Sequence, residues 1–144
     1  MASIAAQIAV AVVTELNGNS FSQEFTASRT WSPDLDRKDL DALTVTVVPR
    51  RRENFERAAR TSHRSEYTID VGLQKAVDPA DNDAVDALVL LAEEVADYMA
   101  DRALAAYAAA KIFRVAQDPL ADFEDLRTNR QFTGIVSLTY LVVA

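Results

Sequence analysis

Two stretches of strict alternation bracket one stretch of helical spacing, and that order constrains the fold more than anything else in the chain. Tyr67, Ile69, Val71, Leu73 and Val77 alternate with Thr68, Asp70, Gly72 and Gln74, with Lys75 the one exception on the apolar side. Phe132, Val136, Leu138, Tyr140 and Val142 alternate with Thr133, Ser137 and Thr139. A period of two places each apolar set on one face of a strand. Between them Val85, Leu88, Ala92, Val95 and Met99 are three and four apart, the spacing of an amphipathic helix. Asp78-Pro79-Ala80-Asp81-Asn82-Asp83 precedes it, and Asp and Asn side chains accept bonds from the free amides of a first turn.

The flanking segments extend the pattern. Ile4, Ile8, Val12 and Leu16 recur every four residues and predict an N-terminal helix, with Asn17-Gly18-Asn19 as a left-handed C-terminal cap. Phe21, Phe25, Ala27 and Trp31 share one side of a predicted half-buried strand that Ser32-Pro33 breaks. Asp34, Asp36, Asp39 and Asp41 mark a polar connection. Leu43 to Val48 is a β-branched strand, halted or bulged at Pro49, which has no N–H to donate. The central helix continues into an alanine-rich stretch, Ala103 to Ala110, before Ile112 and Phe113. Unbroken to Arg114 it would be about 50 Å long, against roughly 37 to 38 Å for a globule of this length. It therefore kinks, ends early, or overhangs the domain. Asp118-Pro119 marks a turn, and Ala121 to Leu126 forms one helical turn or a loop. The predicted fold is α+β: one domain over 1–144, a mainly antiparallel sheet of about four strands, and helices packed on one face.

The chain has 144 residues, 49% of them hydrophobic, with only 3 glycines and 4 prolines, enough for one real core. It has no cysteine, so disulfides and thiolate chemistry are excluded. The apolar opening from Ala2 to Val13 has no Lys or Arg before it and is too short to span a bilayer, so it reads as a buried helix with no membrane role. The formal charge of −7 disfavours nonspecific nucleic-acid binding by the whole surface. Its distribution is uneven: Arg50, Arg51, Arg52, Arg57, Arg60 and Arg64 stand against Glu53 and Glu56 in residues 50–64. That is a net +4, leaving −11 on the rest. Residues 50–64 are expected to form a mobile, arginine-rich hairpin arm.

The inventory for catalysis is bare. Gly18, Gly72 and Gly134 make no phosphate-cradling loop. His63 is the single histidine and sits among arginines, so neither a two-histidine metal site nor a conventional triad is available. The aspartates from Asp34 to Asp41 lack the glycine and terminal glutamate of a calcium loop. No catalytic, cofactor or metal residue is assigned, and the reading is non-enzymatic. On the central helix Asp86, Glu93, Glu94, Asp97 and Asp101 form an acidic stripe; like charges at i and i+4 cost helix stability unless neutralised. The arginine segment of one copy and Asp86, Glu93, Asp97 and Asp101 of the next are the candidate partner surfaces of a head-to-tail ring.

This arrangement, an N-terminal helix, a strand pair bridged by the arginine arm, the run from Tyr67 to Gln74, a long helix, and Phe132-Thr133-Gly134 leading into Leu138-Thr139-Tyr140, resembles the tail-terminator (tail-completion, minor tail protein U-like) family of long-tailed bacteriophages. The resemblance lies in arrangement and covers most of the chain. It implies a structural virion protein, assembled in the host cytoplasm, that forms a homo-hexameric ring at the head-proximal end of the tail. Such a ring stops polymerisation of the tail tube protein, presents its other face to the head-tail connector protein, and leaves a pore for nonspecific DNA passage. Two other readings stand beside it: another neck component, adaptor or stopper, and a small nucleic-acid-binding regulator using the arginine segment.

Overall fold

The computed structural model describes residues 2–32, 41–59 and 62–143, without the side chains of 55–59 and 62. Asp34, Asp36, Asp39 and Arg60, and the side chain of Arg57, lie outside the described residues. The elements run α1 (Ile4–Asn17), β1 (Ala27–Arg29), β2 (Thr44–Ala59), β3 (Ser62–Ala76), α2 (Asn82–Ala100), β4 (Lys111–Gln117), one π-helical turn (Asp125–Asn129) and β5 (Gln131–Val143). They build one five-stranded sheet in the order β1-β2-β3-β5-β4. β1 runs parallel to β2, and every other pair is antiparallel. The α+β class and the one-sided helix layer agree with the sequence pattern; the sheet has a fifth strand and one parallel pair.

The alternation read from the sequence becomes the core. Val45, Val47, Ile69, Val71, Leu73, Phe132, Val136, Leu138 and Tyr140 point to one side of the sheet and are buried. α1 lies under the β1–β2 half and α2 under the β4–β5 half. α1 contributes Ile8, Val12 and Leu16, with Ala9 and Ala11 allowing close approach, and α2 contributes Leu88, Leu91, Val95 and Met99. Ser3 caps α1 by accepting from the Ala6 amide, and Asp81 caps α2 by accepting from Ala84. The C-terminal ends of the helices meet at Glu15, which accepts from the Ala105 amide at 3.1 Å and pairs with Arg102 at 3.6 Å.

Two local expectations give way, and one of three outcomes set for the central helix is met. The segment from Phe21 to Trp31 enters the sheet only at Ala27–Arg29. Phe21 stacks on Phe25 and meets Tyr98 edge-on, both at 5.4 Å, while Ser22 donates its amide and hydroxyl to Glu94; side chains thus draw the preceding residues over α2 instead of into a ladder. Gly18 adopts no left-handed conformation (φ −85°). Instead the side chain of Asn17 ties α1 to β1, accepting from the Ala27 amide at 2.8 Å and donating to its carbonyl at 3.1 Å. The central helix ends early, at Ala100. The alanine-rich stretch is a connection anchored by buried Leu104 and Ala110, and Ile112 and Phe113 belong to β4.

One core group is out of balance. The Tyr140 hydroxyl is buried without a hydrogen-bond partner among the described residues. Burial first, and the charge of Glu15 second, push its ionisation well above the usual tyrosine range. Because the folded value is raised, the stability it contributes is complete below the unfolded value of about 10 and is lost as pH rises from there through the folded value. Tyr140→Phe is expected to leave stability at pH 7 equal or raised by about 1 kcal/mol. It should also flatten the alkaline loss above pH ~10. Urea unfolding at both pH values checks this, and a variant less stable at neutral pH would contradict it.

Candidate assembly surfaces

Helices cover one face of the sheet, and the described residues leave the other face open. Its chemistry is set by two bulges. At Pro49, where no N–H is available for the ladder, the β2–β3 register shifts: Pro49 faces Ile69, and the next paired residue is Arg51, opposite Thr68. Arg50 is the extra residue, and both Arg50 and Arg51 line the open face. In β4 the register shifts between Ile112 and Arg114, so Phe113 is extra and Arg114 falls opposite Thr139. Since Thr68 pairs with Thr139, Arg51, Thr68, Thr139 and Arg114 form one row across the sheet. At strand spacing the two arginine Cα atoms are about 14 Å apart. A bulge turns a side chain away from its regular position; here two bulges at the same level put cations at both ends of one row.

The row behind it is organised by Asp70. Its carboxylate accepts from Arg50 Nε at 2.7 Å and from the Ser137 hydroxyl at 2.7 Å. Arg51 pairs with Glu53 at 2.6 Å on the surface. Arg114 lies 5.4 Å from the Phe113 ring and has no ion-pair partner among the described residues. These groups line a polar groove of about 420 Å³. Beside it, Thr46, Val48, Gly72, Thr133 and Ile135, with Asp70 and Gln74 at its margin, line a more apolar trough of about 170 Å³.

The arginine segment does form a hairpin, from Thr44 through Ala59 and back along β3. It is not a free two-stranded arm, because β5 runs beside β3 as far as the pair Arg64↔Val143. The outer edge of β2, by contrast, meets β1 only at Val45–Val47, and no described strand pairs with the rest. Arg52 lies over the Tyr67 ring at 5.5 Å and donates to Ser65 Oγ at 3.5 Å. Arg57 stands opposite His63 in the register. The arginines are thus strung along an extended sheet edge, and Arg50, Arg51 and Arg52 all have partners within the sheet.

On α2, Glu94 is occupied by Ser22, whereas Asp86, Glu93 and Asp97 are exposed and have no ion-pair partner among the described residues. Asp101, also exposed, closes the helix as its C-cap. Leu90, half exposed, lies among them in the series 86, 90, 93, 97. At 100° per residue this face is roughly opposite the buried one formed by Leu88, Ala92, Val95 and Met99, so it points directly away from the sheet. The acidic stripe and Arg50, Arg51 and Arg114 therefore occupy opposite sides of the molecule, whereas Arg52, opposite the core residue Tyr67, stands on the helix side of the sheet. Asp70, Leu90, Arg114 and Ser137 were not singled out from the sequence. For Arg114 a signal was present: Ile112 and Val115 flank it in a short apolar segment with strand character.

Among the described residues no group of His, Asp and Glu forms a candidate metal site, and no helix is long and apolar enough to cross a membrane.

The architecture is that of a two-layer α+β subunit with one open sheet face. No family model and no curated protein matches the chain. Among solved structures the fold is similar to that of the sheath/tube terminator of an extracellular contractile injection system, PVC, in its extended state, determined by cryo-EM. The TM-score is 0.51 at 15% identity, over 100% of this chain and 57% of that one, so this chain spans little more than half the length of the protein it resembles.

The two kinds of arginine should separate on mutation. Asp70→Ala strips Arg50 and Ser137 of their acceptor and is expected to cost about 1 to 2 kcal/mol. Arg114→Ala should stay within about 0.5 kcal/mol of the parent. Urea unfolding of the two variants measures the difference, and equal costs would remove the distinction between a structural and a free cation.

Proposed function

We propose that this chain is a ring-forming terminator: a non-enzymatic subunit that caps the end of a tube, ends its polymerisation and presents a different surface to the next component. The observation that carries this reading is the fold similarity along the whole chain to a sheath/tube terminator. The finer form, a terminator of a phage tail that stands between tube protein and head-tail connector within the virion, rests on the arrangement of elements in the sequence. A hexameric ring with a pore that passes DNA is part of the same proposal.

The physical logic of capping fits the polarity of the subunit. A ring needs a heterologous contact, in which one surface of each copy meets a different surface of the next. This subunit offers Arg50, Arg51 and Arg114 on the sheet side and Asp86, Glu93, Asp97 and Asp101 on the helix side. Closure brings these opposite charges together and uses both surfaces in every copy. The annular faces then differ, one matching the last ring of the tube and the other not repeating it, so that a further tube ring finds no matching surface. The open edge of β2 beyond Val47 is a second contact region, since an unpaired edge seeks a partner or a cover.

Native mass, followed by light scattering over a range of protein and salt concentration, tests the reading. A discrete ring-sized species that loosens as salt screens the opposite charges is the expected result. A monomer at every concentration, unaffected by salt and by tail tubes but retarding DNA in a gel, would replace the terminator with the nucleic-acid-binding regulator.

A further inference from the structure

We infer that the open sheet face is covered by α2 of a second copy of this chain, with Leu90 seated in the trough at Gly72 and Asp97 facing the row that carries Arg51 and Arg114. The inference rests on the ring reading and specifies its interface. The proposed occupant follows from three independent matches between the two surfaces.

The first match is placement. The outward side of α2 and the open face of the sheet are the two outer surfaces of a two-layer sandwich. Laying one on the other is therefore a head-to-tail contact, repeatable from copy to copy, and it does not saturate in a dimer. The second is charge. Among the described residues Glu93 and Asp97 stand four residues apart with no cation to offset their repulsion, and Arg114 stands on the open face with no ion-pair partner. Arg50 pairs with Asp70 at 2.7 Å through Nε, and its side chain is half exposed on the same face, within reach of a second carboxylate.

The third match is spacing. Leu90 is the apolar residue at the centre of an otherwise acidic face, and the trough floored by Gly72 between Val48 and Ile135 is the apolar part of an otherwise polar sheet surface. From Leu90 to Asp97 a helix rises about 10.5 Å. From Gly72 to Thr68, whose row carries Arg51 and Arg114, a strand advances about 13 Å. With Leu90 in the trough, Glu93 falls near Arg50 and Asp97 near the arginine row. Gly72 suits the trough floor, since a Cβ there would already stand 3.2 Å from Thr46 Oγ1.

The chain has no cysteine, which allows a direct test. Full-length Leu90→Cys and Ile135→Cys proteins are mixed and mildly oxidised, and disulfide-linked species are counted by mass. The two positions lie on opposite sides of one subunit, so any link between them joins two copies. The mixed disulfide should exceed both self-disulfides by about tenfold. Adding Asp97→Arg to the Leu90→Cys protein should remove that excess, and adding Arg114→Glu to its partner should restore it. Absence of the mixed disulfide, or no effect of the charge changes, overturns this packing. Light scattering on the same samples keeps the readings apart: ring-sized assembly without the mixed disulfide leaves the terminator standing with another interface, whereas no assembly removes both.

Discussion

Thirteen consecutive residue pairs join β3 to β5, from Arg64↔Val143 to Ala76↔Gln131, and the rest of the molecule is arranged around that pairing. A one-residue slip would turn Ile69, Val71 and Leu73 on one strand, or Val136, Leu138 and Tyr140 on the other, away from the core. The register is therefore held by the burial of both apolar rows against the same helices. Because the continuous apolar rows lie on one side of the strands, both helices gather on that side. The opposite face is left with threonines, Ser137, Asp70, the apolar Val48 and Ile135, and Arg50, Arg51 and Arg114.

What could be read from the sequence was whatever burial makes periodic. α1, β3, β5 and α2 from Val85 to Met99 have an apolar spacing broken only at Lys75 and Gly134, and all appear near the expected positions. Less legible were the segments whose conformation depends on distant partners. Phe21 and Phe25 have strand spacing, but they stack on each other, and Phe21 meets Tyr98 edge-on from a helix far along the chain. Asn17 has the composition of a cap, yet its amide serves a strand ten residues on. β4 was hidden because alanine favours helix locally, while the burial of Leu104 and Ala110 and the ladder with β5 govern residues 101–117. On the candidate surface, the acidic side of α2 was visible from helical spacing alone. The arginine row was not, because two bulges on strands remote in sequence place Arg51 and Arg114 level with each other.

These features link the fold to the proposed role. A two-layer sandwich has two unlike outer surfaces; here one is acidic around Leu90 and the other carries cations around an apolar trough. Contact between unlike surfaces of identical subunits either closes into a ring or continues as a filament, according to the rotation per step. For a terminator, closure is the requirement, and the annular faces of the closed ring then determine that growth ends there.

Electron microscopy of the assembled species tests this most directly, because a terminator must close laterally and must not grow axially. The account predicts closed rings one subunit thick with a central opening, at every protein concentration that assembles. Open filaments, or rings that stack into tubes of indefinite length, would contradict it.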